Sequence, residues 1–248
     1  MRVGMIQSNY IPWRGYFDFL SSVDVFVLYD DVPFGKGRKW RNRNKLRTPS
    51  GTTWLTVPIH RGPIGTPVDR VEICYDTNWI ARHCQQIYQN YRRAPFYRTY
   101  IEEFSEILHR RYQYQSALNE ALLRWAGHHL SIDTHLIRVR DLLHPQGSKS
   151  IRPLEILRHL GATEYLTGPN TLAFCDFSAY STNNIEVQVK TYCYPQYRQC
   201  WPGFCDDVSI LDLLFNMGMD SRRYITSIIP AKALSCSRMP EGGLDGQP

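Results

Sequence analysis

The first part of the chain alternates apolar segments with one short amphipathic segment. Residues 3–6 are apolar, residues 15–20 fit a short helix, and residues 23–29 form a nearly continuous run of β-branched and aromatic side chains. Such a run is typical of a strand that is covered on both faces. The order strand, helix, strand predicts two parallel strands joined by a right-handed crossover.

Farther along the chain, residues 53–59 predict a strand, and the apolar positions from residue 97 onward recur at helical spacing. These positions predict two long helices or one broken helix, within a helical subdomain at about residues 90–132. They are Ile101, Phe104, Leu108, Leu118, Leu122 and Trp125. Residues 136–139 and 165–167 predict two more strands, which flank a helix near residues 153–160.

The final elements are a strand at residues 185–189 and a helix at residues 208–217. The strand alternates apolar and polar positions, which indicates an edge of the sheet. Ser209 and Asp212 have the spacing of a capping box before the helix. Residues 235–248 are rich in Pro and Gly and predict a disordered tail. Strands and helices interleave, so we predict one α/β domain over residues 1–234, with a mostly parallel sheet, a Rossmann-like opening unit and a central helical insertion.

Composition narrows the class of protein. Of the 248 residues, 43% are hydrophobic and 21% are charged, as in ordinary globular proteins. The longest apolar runs are too short to span a bilayer, and the first residues lack the apolar core of a secretory signal. We therefore expect a soluble, cytoplasmic protein. The seven cysteines contain no CxxC pair, so neither a disulfide framework nor a metal site is predicted.

The positive charge is concentrated in one stretch of sequence, which we call the basic window. Residues 32–68 contain no acidic residue and eight of the 29 Lys and Arg residues, which leaves 21 bases against 23 acids elsewhere. Cations at residues 39, 41, 43, 45 and 47 alternate with neutral residues, so an extended strand would place the cations on one face. A solvated surface strand is one explanation. The absence of compensating acid favours the other, a phosphate-bearing partner.

Polar side chains follow the first two predicted strands. Gln7, Asn9, Tyr10 and Trp13 come after the first strand, and Asp30 and Asp31 come after the second. In open α/β sheets, ligands bind beyond the carboxyl ends of the strands, so these residues are expected to share one crevice. The aspartates could bind a ribose, hold Mg²⁺ or accept a proton, or they could simply end the strand.

Three further residues are candidates on weaker grounds. Lys149 precedes the helix at residues 153–160, where backbone N–H groups could meet a phosphate. Asn170 follows a strand and a Gly-Pro turn, where a pocket would open. His83 is a candidate catalytic histidine, although most histidines in such positions serve the core or the surface.

Several blocks of this sequence, in order, closely resemble the WbqC-like family, from about residue 2 to residue 229. The blocks are QSNYIPW at 7–13, GYF at 15–17, DVFV at 24–27, DDV at 30–32, WRNRN at 40–44, WLTVP at 54–58, GATEYL at 161–166 with GP at 168–169, and SILDLLFN at 209–216. The resemblance implies aminoacyl or acyl transfer, usually proposed as glycyl transfer, to an amino sugar in polysaccharide biosynthesis. The opening unit is also similar, at the level of fold, to the nucleotidyltransferase branch of the HIGH-motif superfamily, but the signature histidines are missing.

The chain departs from the family pattern at two places. Family members commonly have His-Gln-Pro where this chain has Ile6-Gln7-Ser8, so an ionisable group is lost at the end of the strand. They also favour Gly-Pro-Ser where this chain has Gly168-Pro169-Asn170.

Our leading hypothesis is a transferase that adds an aminoacyl or acyl group to a phosphate-bearing amino sugar or related small molecule. Arg41, Arg43 and Lys45 would bind phosphate. Asn9, Tyr10 and Asn42 would orient the substrate, and Trp40 would also belong to the substrate-binding residues. ATP with Mg²⁺ is compatible with this hypothesis, but the sequence identifies no cofactor. One alternative is a non-catalytic nucleic-acid-binding protein with Trp40 as a stacking platform. Another is a natural-product tailoring enzyme with a carrier-protein or aminoacyl-tRNA donor.

Overall fold

The structure is a computed structural model that describes residues 1–35, 40–60, 62–142, 151–174 and 176–234. The strands are β1 (Arg2–Ile6), β2 (Val25–Leu28), β3 (Arg43–Thr48), β4 (Gly51–Thr56), β5 (His135–Arg138), β6 (Glu164–Thr167), β7 (Glu186–Val189) and β8 (Lys232–Leu234). The helices are α1 (Arg14–Ser21), α2 (Trp79–Tyr91), α3 (Tyr97–His109), α4 (Gln115–His129), α5 (Ile151–His159), α6 (Phe177–Thr182) and α7 (Ile210–Met217). The predicted disordered tail lies outside the described residues.

Six strands form one mostly parallel sheet in the order β5-β2-β1-β6-β7-β8, in which only β8 is antiparallel to its neighbour. The chain extends the sheet from β1 through β2 to β5, and then crosses to the other side of β1 to add β6 and β7. The carboxyl ends of β5, β2, β1, β6 and β7 therefore share one edge. The predicted α/β fold is confirmed, while the Rossmann-like assignment of the opening unit stays a prediction.

Each face of the sheet covers its own core, because side chains alternate along every strand. On β2, Phe26 and Leu28 join a large core formed with α1, α2, α3, α4 and α7. Val25 and Val27 on the same strand point to a second core, with α5 and α6. This arrangement confirms the prediction that the continuous apolar run at residues 23–29 is covered on both sides.

Gly4 of β1 allows α1 to pack closely against the sheet. A Cβ atom at this position would overlap the ring of Phe19, which is fully buried, and would crowd a methyl group of Val23. We expect Gly4→Val to lower the free energy of unfolding by about 1 to 3 kcal/mol, because an overfilled core forces side chains off their rotamers. Urea unfolding measures this change. The matched control is Thr52→Val, which introduces a valine at an exposed position of β4 and should leave the free energy of unfolding nearly unchanged.

The antiparallel hairpin β3–β4 forms a separate two-stranded sheet. Asn42 ties its base together, because Asn42 donates through Nδ2 to the Val57 carbonyl at 3.0 Å and accepts from the Val57 N–H at 2.8 Å through its own carbonyl. Asn44 and Leu46 point inward and are buried. The hairpin is thereby fixed next to the loop that follows β1.

Two sequence predictions about the last elements are wrong. The strand at residues 185–189 is not at an edge, because β8 pairs with β7. The capping box is absent as well, since the Ser209 hydroxyl is buried with no hydrogen-bond partner among the described residues. Asp212 instead accepts hydrogen bonds from Tyr91, Tyr197 and Gln199 at 2.7 to 2.9 Å. This carboxylate joins α7 to α2 and to the segment before α7.

Among the described residues, no helix combines the length and the apolar character that a membrane span requires.

Candidate functional site

The loop after β1 is held in an unusual backbone conformation. Ile11 has φ of 36°, in the left-handed region that β-branched residues rarely adopt. Asn44 of the hairpin donates through Nδ2 to the carbonyls of Tyr10 and Ile11, at 3.1 and 2.8 Å. Strained loops of this kind cluster at functional sites, where the surrounding structure holds them in place.

Asp30 lies at the carboxyl end of β2 and is 6% exposed. Its Oδ1 accepts from the Ser8 N–H at 2.7 Å, which joins the ends of β2 and β1. The pKa of Asp30 is raised to about 6, chiefly by burial and also by the charge of nearby Asp69, while hydrogen bonds from Ser8 and the charge of Arg41 act in the opposite direction. A carboxyl group with this pKa is suited to general acid or base chemistry near neutral pH.

Arg41 places a guanidinium group near Asp30. Burial lowers the pKa of Arg41, and the charge of Asp30 raises it. One terminal nitrogen donates to the Phe34 carbonyl, whereas the buried Nε–H has no partner among the described residues. A buried donor without a partner is costly, and an acceptor on a ligand at this position would remove that cost.

A hydrogen-bond network fixes the backbone of Arg41 next to the loop after β1. Asn119 of α4 donates through Nδ2 to the Arg41 carbonyl at 2.8 Å and to the Ser8 hydroxyl at 3.2 Å. Gln115 supports Asn119 by donating to its Oδ1 at 2.8 Å. The Trp40 carbonyl accepts a hydrogen bond from the Tyr10 N–H at 3.1 Å. The structure therefore brings the basic window, the polar loop and Asp30 together.

A cavity of about 100 Å³ opens beyond the ends of β2 and β5, and we call it the β2–β5 cavity. Asp30, Asp69 and Glu120 contribute carboxylates to its lining, and Arg138 and Arg140 contribute guanidinium groups. Glu120 is neutralised by Arg138 at 2.5 Å, and Asp69 contacts Arg140 at 3.3 Å. Asp30 is the carboxylate of this set for which no salt bridge is found in the described structure.

Asp31 has a different environment from Asp30. It is half-buried and forms an ion pair with Arg152 of α5 through Oδ2, while its buried Oδ1 has no hydrogen-bond partner among the described residues. The two predicted catalytic carboxylates are adjacent in sequence, but only Asp30 lines the β2–β5 cavity.

The alternating cations of the basic window do not form a single free face. The strand begins at Arg43, not at residue 39, so Trp40 is outside it and is exposed. Arg43 and Lys45 lie beside the ring of Trp54. Arg47 is buried, because its guanidinium donates to the carbonyls of Thr48, Gly51 and Pro202. Arg47 therefore has a structural role, so the cations of the strand do not form one free face, and Lys39 lies outside the described residues.

His83 is buried in α2 with both ring nitrogens engaged. Its Nδ1 lies 3.0 Å from the hydroxyl of Tyr10, and its Nε2 lies 3.1 Å from the Thr56 carbonyl. Burial lowers the pKa of His83 to about 4, so the ring is neutral at physiological pH. His83 and Tyr10 thus connect α2, β4 and the loop after β1, and the catalytic role of His83 stays a prediction.

The remaining predicted residues are dispersed. Gln7 and Asn9 are half-buried in the loop after β1, and Trp13 packs against Tyr192 and Tyr194 at 5.5 and 5.9 Å. Asn170 is exposed after β6, at the same edge of the sheet. Lys149 lies outside the described residues. Within the described parts of the chain, no group of three or more His, Cys, Asp or Glu residues could hold a metal ion.

Sequence reasoning missed the four charged residues that line the cavity together with Asp30. Arg138 ends β5 and Arg140 follows it, so the strand-end argument that identified Asp30 could have found both. Asp69 and Glu120 reach the cavity through tertiary packing. The Asp69 N–H donates to the Asp30 carbonyl at 2.9 Å, a contact between distant segments with no local signal.

Two comparisons with known proteins match this chain over most of its length. The model of the WbqC-like protein family matches residues 7–224, which include the polar loop, the cavity and the hairpin. An uncharacterized protein of Mycobacterium tuberculosis is 36% identical over 227 residues, which are 90% of this chain and 97% of that protein. No solved structure matches the chain significantly. On the extent of these matches, this chain belongs to the WbqC-like protein family.

Proposed function

We propose that this protein is a transferase that moves an aminoacyl or acyl group onto the amine of a phosphate-bearing amino sugar or a related small molecule. The observation that carries the proposal is the pairing of buried Asp30, with its pKa raised to about 6, and the nearby guanidinium of Arg41, whose Nε–H lacks a partner among the described residues. The pair supplies a base and an anion-binding group at one edge of the sheet. The family resemblance supports acyl transfer as the reaction class.

In the proposed reaction, the phosphate of the acceptor binds Arg41 and its amine approaches Asp30. The amine nitrogen forms a bond to the carbonyl carbon of the donor, and the ester or thioester bond to the donor's carrier breaks. Asp30 takes the proton that the nitrogen loses and returns it to the leaving oxygen or sulfur. An aminoacyl-tRNA or an acyl carrier protein would supply the donor group. ATP with Mg²⁺ would be required only if the acyl group must first be activated.

The arrangement of the sheet also favours a ligand at this edge. The strand order changes direction at β1, and ligands of doubly wound sheets bind at such a switch point beyond the carboxyl ends. A change in strand order at β1 is also a feature of doubly wound sheets, and it supports the Rossmann-like interpretation of the opening unit. The loop after β1, Asp30 and Asn170 all lie at this edge.

We expect Arg41→Ala to weaken binding of glucosamine 1-phosphate by roughly 10- to 150-fold, because one charged hydrogen bond to the phosphate is lost. Isothermal titration calorimetry measures the affinity. Arg93→Ala removes an exposed arginine in the turn after α2 and is the matched control. Equal affinity of the wild type and Arg41→Ala, with both proteins folded by thermal melting, would contradict the assignment of phosphate to Arg41.

A further inference from the structure

The base of the hairpin carries an aromatic and cationic surface that the proposed transfer reaction does not use. The rings of Trp40 and Trp54 lie 5.0 Å apart, with 43° between their planes. The Arg43 guanidinium lies 3.8 Å from the centroid of the Trp54 ring, and the Lys45 ammonium lies 5.8 Å from that of Trp40. We call these four residues the Trp40–Trp54 platform.

Trp40 is the part of the platform that a ligand could reach. It is 45% exposed, whereas its neighbour Trp54 is half-buried beside Arg43. A large aromatic ring left in water forgoes a substantial gain from burial. An exposed aromatic ring that is held in place by a second ring suits the flat base of a ligand. Negative charge on that ligand would be met by Arg41, the next residue along the chain.

The platform is next to the candidate site. The Trp40 carbonyl accepts from the Tyr10 N–H at 3.1 Å, and the Ser8 N–H donates to Asp30 at 2.7 Å. Ser8 and Tyr10 are separated by two residue steps, which span at most roughly 7 Å. Arg41 directly follows Trp40 in the chain, and its guanidinium lies near enough to Asp30 for the two charges to interact, so it would provide the group that binds phosphate. The residues thus form a series of stacking surface, anion-binding group and carboxylate.

We propose that the Trp40–Trp54 platform stacks the base of a nucleoside diphosphate that carries the amino sugar. This inference rests on the proposed function, and it narrows the substrate class from any phosphate-bearing amino sugar to a nucleotide-linked one. The base would lie on Trp40, the diphosphate would reach Arg41, and the amine would face Asp30.

A single nucleotide fits the platform better than a nucleic-acid strand. Lys45 is already paired with Asp207, and Arg47 is buried against backbone carbonyls. Outside the basic window, the 21 bases of the chain are outnumbered by 23 acids. A strand needs a cationic groove that follows its backbone, whereas one diphosphate needs only a local cation.

Binding of ADP, CDP, GDP and UDP, each compared with glucosamine 1-phosphate, tests the inference by equilibrium dialysis. At least one nucleoside diphosphate should bind the wild type more tightly than the sugar phosphate. Trp40→Ala should weaken binding of that nucleotide by roughly 5- to 150-fold, the range expected for loss of one stacked base. The affinity of the same variant for glucosamine 1-phosphate should stay within about twofold of the wild-type value. Trp40→Phe should retain most of the nucleotide affinity. Tyr88→Ala, which removes a 49% exposed aromatic ring on α2, should change the affinity for neither ligand.

Three results would overturn the inference, and they are distinguishable. If glucosamine 1-phosphate binds but no nucleoside diphosphate binds more tightly, this inference is wrong and the proposed function stands. If neither ligand class binds, the proposed function is wrong as well. If a single-stranded decanucleotide binds far more tightly than any nucleotide, with an affinity that falls steeply with salt, the platform serves nucleic acid instead.

Discussion

Asp30→Asn is expected to lower kcat/KM for acyl transfer by roughly 10²- to 10⁴-fold, the range that a positioned general base contributes. The substitution keeps the shape of the side chain, and an asparagine oxygen can still accept the hydrogen bond that Ser8 donates at 2.7 Å. It removes the group that takes the proton from the amine. Single-turnover transfer to glucosamine 1-phosphate, with aminoacyl-tRNA and acyl-carrier donors, measures the loss.

The pH profile separates loss of a base from damage to the site. Because the pKa of Asp30 is raised to about 6, the wild type should gain activity as pH rises through 6, when the carboxyl group ionises. Asp30→Asn should lack this limb of the profile. Asp133→Asn, at an exposed carboxylate before β5, is the control and should keep both the rate and the limb. A wild-type rate that is flat between pH 5 and 8 would exclude Asp30 as the base.

The same substitution should make the fold more stable at neutral pH. Burial raises the pKa of Asp30 from 3.8 to about 6, so the folded state binds the proton more tightly than the unfolded state does. Stability therefore falls as pH rises from about 4 to 6, and above pH 6 the ionised carboxylate destabilises the fold by about 3 kcal/mol. Asp30→Asn should recover about 2 to 3 kcal/mol at pH 7.5 in urea unfolding. The gain should shrink toward pH 4. Loss of activity with gain of stability is expected of a residue kept for function.

The sequence predicted those elements whose signal is local. The apolar run at residues 23–29 contains β2, which is buried on both faces, and the helix predicted near residues 153–160 is α5 (Ile151–His159). Helix α2 was not predicted, because its buried face includes His83 and Tyr91, which weaken an apolar pattern. The three-residue strand β8 has no such pattern, so its pairing with β7 could only come from the fold.

The candidate site was predictable only in part, for a related reason. Asp30 and the loop after β1 follow strands, and the carboxyl ends of parallel strands must meet at one edge. Arg41 and Arg47 look equivalent in an alternating sequence. Arg47 is nevertheless buried, in part because it donates a hydrogen bond to the backbone carbonyl of Pro202. This contact joins segments that are far apart in the sequence, so no local pattern predicts it. Asp69 is in the same category, because only the contact between its loop and the end of β2 places it beside Asp30.

The hydrogen bonds around Asp18 show how the helix that follows the site is fixed to the sheet. Asp18 of α1 is 1% exposed and accepts from Lys190 at 2.6 Å, just after β7. Its other oxygen accepts from the Tyr194 hydroxyl at 2.8 Å and the Ser227 N–H at 3.1 Å. The Lys190 ammonium also donates to the Ser22 hydroxyl at 3.0 Å. One buried ion pair therefore joins α1, the end of β7 and the segment before β8.

Lys190→Met is expected to lower the free energy of unfolding by about 3 to 5 kcal/mol, because it leaves the Asp18 carboxylate buried without its counter-charge. Adding Asp18→Asn removes that charge, so the double variant should be more stable than Lys190→Met alone, and this non-additivity distinguishes the ion pair from lost packing. Lys232→Met, at an exposed lysine of β8, should stay within about 0.5 kcal/mol of the wild type. Urea unfolding of the wild type, Asp18→Asn, Lys190→Met and the double variant measures the cycle. A double variant whose loss equals the sum of the two single losses would show that Asp18 and Lys190 contribute independently, and that α1 is anchored by packing instead of by charge.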